Sequence, residues 1–357
     1  MIQNNLLFSI ACVFVFQFFA ACSQVELDQI KESFTNEEIQ ATEKLRIYTD
    51  LPLEDFKWLQ NTFFDEYNIT LEVERFGAEQ VIRRVYLERQ KPQADVVILS
   101  KADRINRMAK LALLQPLQTK KLKAIPKHFL HPKYLWFGLS YSPRVIAYSK
   151  ERVDPKKLTY YTDLAMPLWQ GRLLMGSSED IDNQELIGKL LYEAEEGEVL
   201  NWVKGIAQNS QQKVIEDDKN RLIDIFRGKG DLAVVTTKSL AQMLYTGNVL
   251  NKNAVEAIDV LLPNNKSHGA SISITGVALI AKSKNYKNAT IFLDFLLSPV
   301  TSENFAEHLF EFPVIKKAAL SEKLQIWANV KIDTSSQFQI VDKKQEVLAL
   351  MKKADWR

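Results

Sequence analysis

Polar side chains that could bind a small solute stand where a predicted strand passes into a helix. They are Thr49 and Asp50, Ser100, Ser177 and Ser178, and Thr236, Thr237 and Lys238. In open α/β sheets, ligands bind beyond the carboxyl ends of the strands, where such junctions meet. The same residue types also cap helices, because their oxygens satisfy free amides of the first turn. Each junction therefore fits either a ligand contact or a helix cap.

The charges near these junctions leave the charge of a ligand open. Ser177–Ser178 precede a predicted helix whose free amides favour an anion, and Lys238 adds a positive charge. Three acids within Glu179–Asp182 crowd the same helix start. They either repel an anion and attract a cation, or only stabilise the first helical turn.

No arrangement of residues typical of catalysis is found. The four histidines, His128, His131, His268 and His308, form no HExxH zinc motif, and the chain has neither a GxSxG nucleophile elbow nor a phosphate-binding loop. A net charge of +2, from 46 basic and 44 acidic residues, does not indicate a nucleic-acid partner. We therefore predict a protein that is not an enzyme and has no cofactor or resident metal site.

The N-terminal sequence is typical of a secretion signal. Leu6–Ala21 is almost wholly apolar but short for a membrane span, and Phe19–Ser23 resembles a bacterial lipoprotein signal in which the cysteine becomes the lipidated first residue. The only cysteines are Cys12 and Cys22. We predict a signal peptide over 1–21, lipidation of Cys22 and a polar tether over 22–42. A short signal anchor with two incidental cysteines is the alternative.

Strand and helix patterns alternate through the rest of the chain. Strands are predicted at 45–49, 69–73, 94–100, 145–148, 172–175, 232–235 and 271–282, and helices at 56–63, 79–89, 103–114, 183–209 (one or two helices), 239–244 and 288–299. This alternation predicts an α/β fold with mostly parallel sheets covered by helices on both faces.

Several short motifs follow one another in a particular order. They are the strand–helix segment Ala94–Leu117, Arg144–Tyr148 (RVIAY), Tyr161–Leu164 (YTDL), Trp169–Arg172 (WQGR), Ser271–Pro299, Phe312–Val314 and Lys353–Trp356. Together they resemble the bacterial ferric-iron-binding proteins of ABC importers. The resemblance extends from about Leu45 to Arg357.

The resemblance implies a type II periplasmic-binding fold with two lobes and two hinge crossings, each lobe a mixed, mostly parallel sheet flanked by helices. Lobe 1 is expected to comprise residues 43–144 and 269–317, and lobe 2 residues 145–268 and 318–357. Closure of such lobes buries a ligand and presents a closed face to a permease. His268 is expected near the hinge, and the protein is expected to be monomeric.

Ferric ion prefers anionic oxygen, and this family holds it with tyrosinates, often with a histidine or a carboxylate and a bound anion. At the positions that the resemblance assigns to these ligands, this chain has Pro52, Leu53, Ser100, Asp182 and Lys238–Ser239. None is a tyrosine, and an ammonium beside a trivalent metal costs Coulomb energy. Naked ferric ion bound in the family's geometry is therefore not expected.

Two further positions follow from the resemblance. Arg144 stands where the family places an arginine against the bound anion. Tyr161, in the pair Tyr160–Tyr161, matches a turn position without a ligand role, and we interpret it as structural. The predicted ligand-binding set is Asp50, Ser100, Arg144, Ser177, Ser178, Asp182, Thr237 and Lys238.

The sequence thus predicts a lipid-anchored solute-binding protein of the periplasm or cell envelope that serves an ABC permease. By resemblance, its ligand is ferric iron or an iron chelate. Two alternatives remain open: binding of a non-iron organic or oxyanionic solute, and a sensor or scaffold whose metal site has decayed.

Overall fold

A computed structural model describes residues 43–210, 217–335 and 343–356. The predicted signal peptide, Cys22 and the tether lie outside the described residues. No helix within the described parts of the chain is long and apolar enough to cross a membrane.

The chain alternates strands and helices as the hydrophobic pattern predicts. The strands are β1 (Glu43–Thr49), β2 (Ile69–Arg75), β3 (Val96–Leu99), β4 (Leu114–Gln115), β5 (Trp136–Ser149), β6 (Leu173–Leu174), β7 (Leu232–Thr236), β8 (Ile258–Leu261), β9 (Ile272–Ile280) and β10 (Phe312–Pro313). The helices are α1 (Lys57–Tyr67), α2 (Ala78–Glu88), α3 (Ala102–Lys110), α4 (Ile181–Glu193), α5 (Glu196–Asn209), α6 (Asp218–Phe226), α7 (Thr237–Tyr245), α8 (Val249–Glu256), α9 (Tyr286–Leu296), α10 (Pro299–His308) and α11 (Lys344–Lys353).

Helix α3 ends earlier than predicted. The apolar pattern extends to Leu114, but Ala112 adopts a left-handed conformation (φ 55°) that stops the helix. Leu114 and Gln115 then pair with β9 as a short strand. Leu113 and Leu114 are therefore buried at and just before this strand and not on a helix face, whereas Leu111 stays exposed.

Strand β5 connects the two halves of the sheet and is much longer than predicted. Its first half, Trp136–Pro143, pairs with β9, and its second half, Arg144–Tyr148, pairs with β7. The sheet order is β2-β1-β3-β9-β5-β7-β6, with β4 beside β9 and both β8 and β10 beside β5. Among described strands, three pairings are parallel and six antiparallel, so the sheet is mixed but not mostly parallel. The cause is that β5 and β9 both run antiparallel to their neighbours.

The hydrophobic core is divided into separate clusters. One cluster draws on residues 45–139 and 272–315, and we call the part built around it lobe 1. Two others draw mainly on residues 145–258, together with 324–327 and 347–356, and we call this part lobe 2. The residue limits predicted for the two lobes stay predictions.

The chain returns from lobe 2 to lobe 1 through Gly269. This glycine has φ 98°, a left-handed conformation that disfavours any residue with a Cβ. A Cβ there would also lie 2.6 Å from the carbonyl oxygen of Lys331, because Ala270 bridges to Ile332. A third segment of chain therefore packs directly against this crossing.

Candidate ligand-binding cleft

A cavity of about 550 Å³ lies between the lobes, at the ends of the central strands. Its lining residues are Ser100, Lys101, Arg104, Ser142, Ser177, Glu179, Asp180, Ile181, Asp182, Asp217, Asp218, Arg221, Thr236, Lys238, Ser239, Ser273 and Glu311. All but Ile181 are polar or charged. Two cavities of similar size, about 500 and 560 Å³, open on 127–134 with Thr334 and on 191–198 with α11, away from these strand ends.

The lobe 1 wall is organised by Asp50, which follows β1. Its carboxylate accepts hydrogen bonds from Ser100 N and Oγ, both at 2.8 Å, and from Arg104 Nη1 at 3.0 Å. Asp50 does not itself line the cavity. It fixes the β3–α3 junction, so that Ser100 and Arg104 face the cleft from a rigid support.

The lobe 2 wall is organised by Asp218, at the start of α6. One carboxylate oxygen accepts hydrogen bonds from Thr236 N, Thr236 Oγ1 and Ser239 Oγ, each at 2.8 Å, and the other pairs with Arg221. Burial alone would raise the pKa of Asp218, but Arg221 and the hydrogen bonds outweigh it and lower the pKa below its usual value. The carboxylate is therefore ionised at neutral pH and ties α6 to the β7–α7 junction.

Among the residues that line the cavity, two ion pairs join one lobe to the other. Lys101 Nζ lies 2.5 Å from Asp182 Oδ2, and Lys238 Nζ lies 2.7 Å from Glu311 Oε1. Burial opposes the charge on Asp182, yet Lys101 and Arg144 outweigh it and lower the pKa of Asp182 to about 2. Asp182 in turn raises the pKa of Lys101 against the effect of burial. The Lys101–Asp182 pair is thus ionised over the physiological pH range.

The cavity has no tyrosine in its lining. Tyr161 is buried in lobe 2, where its hydroxyl donates to the carbonyl oxygen of Arg144 at 2.6 Å and accepts from Ser271 N. Burial raises the pKa of Tyr161, which keeps it in the phenol form. Within the described ranges, no group of three or more His, Cys, Asp or Glu side chains is arranged to hold a metal ion. The described lining thus offers carboxylate oxygens but no tyrosine oxygen.

Acids outnumber bases in the lining. The bases are Lys101, Arg104, Arg221 and Lys238, and the acids are Glu179, Asp180, Asp182, Asp217, Asp218 and Glu311. Each base already pairs with a carboxylate: Lys101 with Asp182, Arg104 with Asp50, Arg221 with Asp218 and Lys238 with Glu311. The cavity therefore presents hydroxyls and negative charge, with no surplus of positive charge for a simple anion.

The model of the family described as bacterial extracellular solute-binding protein matches residues 91–335. The chain belongs to this family. Iron uptake protein A1 of Synechocystis sp. is 27% identical over 320 residues, which is 88% of each chain. The solved Trichodesmium protein (IdiA, FutA) in complex with iron and citrate ligands is 25% identical, with a TM-score of 0.84 over 88% of this chain and 100% of that one. A Campylobacter jejuni ferric binding protein, 24% identical, has a TM-score of 0.81 with the same coverage.

These likenesses confirm the predicted fold class and the predicted kind of protein. The structural relatives have the type II periplasmic-binding fold, and the sheet order and two-lobe core of this chain agree with it. The chain is thus a solute-binding protein of this family, and the cavity between its lobes is the candidate solute site.

Within this family member, half of the predicted ligand-binding residues reach the cavity. Ser100, Ser177, Asp182 and Lys238 line it, whereas Asp50, Arg144, Ser178 and Thr237 do not. Arg144 is 2% exposed and lies under α4, where Nη1 donates to the carbonyl oxygen of Asp182 and Nη2 donates to Asn183 Oδ1. It therefore holds the start of α4 from below and makes no wall of the cleft.

Thr237 and Ser178, which also lie outside the lining of the cavity, contact neighbouring residues of the chain. Thr237 is fully buried, and its hydroxyl lies 3.1 Å from Ser142 Oγ. Ser178 accepts a hydrogen bond from Gln184 Nε2 through its carbonyl oxygen. Neither residue caps a helix, because the N-caps are Thr236 for α7 and Asp180 for α4. At these two positions the structure shows contacts within the chain in place of the predicted ligand contact.

The sequence prediction missed most charged residues of the lining. Lys101 and Arg104 lie at the β3–α3 junction, next to Ser100, which was predicted. They are three residues apart, so both side chains lie on one face of the helix start, and this spacing could have identified them as lining residues. Asp218 and Arg221 are likewise three residues apart on α6, a helix that was not predicted. Glu311 lies in a loop before β10, and no local pattern marks it.

The neighbouring residue Glu185 makes folding stability depend on pH. Burial, together with Asp182 and Asp103, raises its pKa from 4.5 to about 8, against the opposing effect of Lys101. Since the folded protein keeps this proton and the unfolded chain releases it, stability falls as pH rises from about 4.5 to 8. We expect Glu185→Gln to be more stable than the original protein by about 1–3 kcal/mol at pH 9, and by much less near pH 4.5.

Urea titrations at pH 5 and pH 9 measure this difference. Glu198→Gln, on an exposed position of α5, is the matched control and is expected to show no such change. If Glu185→Gln and the original protein lose stability in parallel between these pH values, Glu185 is ionised in the folded state and the prediction is wrong.

Proposed function

We propose that this chain captures ferric iron as a preformed chelate and delivers it to an ABC permease. Relatives of the same family carry iron-uptake and ferric-binding names, and one of them is solved with iron and citrate. If this chain shares the function of those relatives, its cleft must suit an iron complex. The composition of the cleft supports arrival of the metal as a chelate.

The observation that carries the proposal is the tyrosine-free, acid-rich lining of the cavity. A bare ferric ion needs several anionic oxygens from the protein, which this cavity does not arrange. A simple oxyanion would meet more carboxylates than cations. A chelate meets both conditions better, because the chelator supplies the metal's oxygen ligands and the metal neutralises the chelator's own carboxylates, so that the complex is less negative than the free chelator. The hydroxyl-bearing residues, among them Ser100 and Ser177, can hydrogen-bond the outer oxygens of the chelate.

The hydroxyl groups support a second candidate. Six of the lining residues, Ser100, Ser142, Ser177, Thr236, Ser239 and Ser273, carry a hydroxyl. Such a wall also suits a neutral, polyhydroxylated organic solute without iron, which belongs to the organic-solute alternative raised by the sequence. A charged oxyanion fits the cavity less well than a neutral organic solute, because acids outnumber bases in the lining.

A thermal titration of the full-length protein in detergent tests the proposal. Ferric citrate and ferric nitrilotriacetate are compared with the iron-free chelators and with neutral polyols. A ligand at a hundred times its Kd stabilises by about 2.7 kcal/mol, which corresponds to a rise of several degrees in melting temperature. We expect this rise with an iron chelate, and a much smaller one with the iron-free chelator.

Two adjacent serines provide a matched pair of variants. Ser177 lines the cavity and Ser178 does not. Ser177→Leu should remove the rise in melting temperature, whereas Ser178→Leu should keep it. Stabilisation by a polyol alone would favour the second candidate, and stabilisation by no compound would contradict solute capture and favour a sensor or scaffold.

The proposal includes attachment to a membrane. The cysteine placement supports cleavage before Cys22 and its lipidation, with 22–42 as a tether between the lipid and the folded body. The folded body would then act at the cell envelope, as a non-enzymatic carrier. Mass spectrometry of the N-terminus of the same preparation tests this, since an unmodified Cys22 would contradict it.

A further inference from the structure

The two ion pairs that cross the cleft differ from ordinary surface pairs. The side chains are only partly accessible, with exposures of 23% for Lys101, 12% for Asp182, 22% for Lys238 and 5% for Glu311. Exposed pairs contribute little, but removing one partner of a buried pair leaves a charge without compensation. Both pairs also join residues far apart in sequence, 81 and 73 positions, across the opening between the lobes.

Each pair is held in place by further hydrogen bonds. Lys101 Nζ donates to Ser273 Oγ at 2.9 Å, and Asp182 occupies the first turn of α4, where a negative charge is favoured. Glu311 accepts hydrogen bonds from Ser140 Oγ at 2.5 Å and from Thr275 Oγ1 at 3.1 Å. Since Ser140 lies on β5 and Thr275 on β9, Glu311 is fixed to two paired central strands.

Separating the lobes would break both pairs at once. Lys101 would lose Asp182, and Lys238 would leave Glu311, which has no other cation within ion-pair distance among the described residues. The carboxylates of Asp182 and Glu311 would then each lose the lysine that neutralises them and would be hydrated by water instead. The difference between joined and separated lobes therefore arises from side chains of the protein alone, without any contact to a ligand.

We propose that Lys101–Asp182 and Lys238–Glu311 form a latch that keeps the lobes closed in the absence of any solute. A solute-binding protein with this latch has a mainly closed unliganded state, and solute enters during rare openings. The solute then stabilises a closure that exists already, so binding changes the conformation little. This inference concerns the unliganded protein and does not depend on which solute is bound.

Distance measurement between fluorophores on the two lobes tests the latch. The only cysteines are Cys12 and Cys22, so the full chain with both changed to serine can be labelled at Asp65→Cys on α1 and Lys204→Cys on α5, which are exposed. Without solute, we expect a single short-distance population. In Lys101→Gln and in Asp182→Asn, we expect the ratio of closed to open molecules to fall by at least about tenfold.

The double variant and a control separate a latch from general damage to the fold. If the two residues act through each other, Lys101→Gln with Asp182→Asn opens the lobes no further than either change alone. Lys44→Gln removes an ion pair with Glu72 that lies within lobe 1, and it should leave the distances unchanged. If Lys101→Gln fails to melt cooperatively, Lys238→Gln tests the second pair, with Lys238→Arg expected to stay closed.

An open population in the unliganded original protein would overturn the latch. Closed populations in all four single neutral variants of the latch residues, or additive opening in the double variant, would overturn it too. These results are independent of the iron titration, because no solute is added.

Discussion

Replacing Asp218 by alanine is expected to lower the free energy of unfolding by about 3–5 kcal/mol. Arg221 is 3% exposed, and the substitution would leave its buried guanidinium without the carboxylate that pairs with it most closely. The backbone amide and hydroxyl of Thr236 and the hydroxyl of Ser239 would lose their shared acceptor as well. Chemical denaturation with fluorescence or circular dichroism measures the change.

A matched control lies on the same helix. Asp224 pairs with Lys229, whose side chain is 56% exposed, so Asp224→Ala should cost only about 0–1 kcal/mol. Equal losses in the two variants would mean that Asp218 is no more important than a carboxylate whose partner is an exposed lysine, contrary to the structure.

Replacing Arg144 by methionine is expected to lower the free energy of unfolding by about 2–4 kcal/mol. The guanidinium is buried, and its two hydrogen bonds hold the carbonyl of Asp182 and the side chain of Asn183 at the start of α4. Methionine keeps much of the apolar volume but supplies neither donor nor charge. Denaturation measures the loss, and Arg107→Met, which removes an exposed pair with Glu79, is the control.

This substitution also separates two roles for Arg144. The resemblance places an arginine against a bound anion, whereas the structure places this side chain beneath the helix that forms the wall. A variant of Arg144 with unchanged stability but no solute binding would support direct contact with solute. Loss of stability, with a smaller effect on binding, would support the role that the structure gives it.

The fold was largely predictable because apolar periodicity reports burial. The runs that became β1, β3 and β7 are buried and matched the observed strands closely. The first half of β5 was missed because Ser140 and Ser142 interrupt its apolar pattern, although both are buried. Their burial depends on Glu311 and Thr237, which are distant in sequence and therefore absent from any local pattern.

The site was only half predictable for the same reason. Polar residues at strand ends identified the correct edge of the sheet, and Ser100 and Ser177 reached the cavity. Lys101 and Glu311 were missed because the partner of each comes from the other lobe. Asp218 and Arg221 were missed because the sequence pattern did not predict the helix that carries them. Sequence alone could not show that Glu311 neutralises Lys238, so it left the charge of the ligand open.

The visible absorption spectrum of the iron-loaded protein tests the central claim most directly. Full-length protein is saturated with ferric citrate, freed of excess complex, and compared with ferric citrate alone. Because no tyrosine lines the cavity, we predict retained iron without a tyrosinate-to-iron charge-transfer band. Appearance of that band would show that a tyrosine binds the metal, and it would contradict capture of iron as a preformed chelate in this cleft.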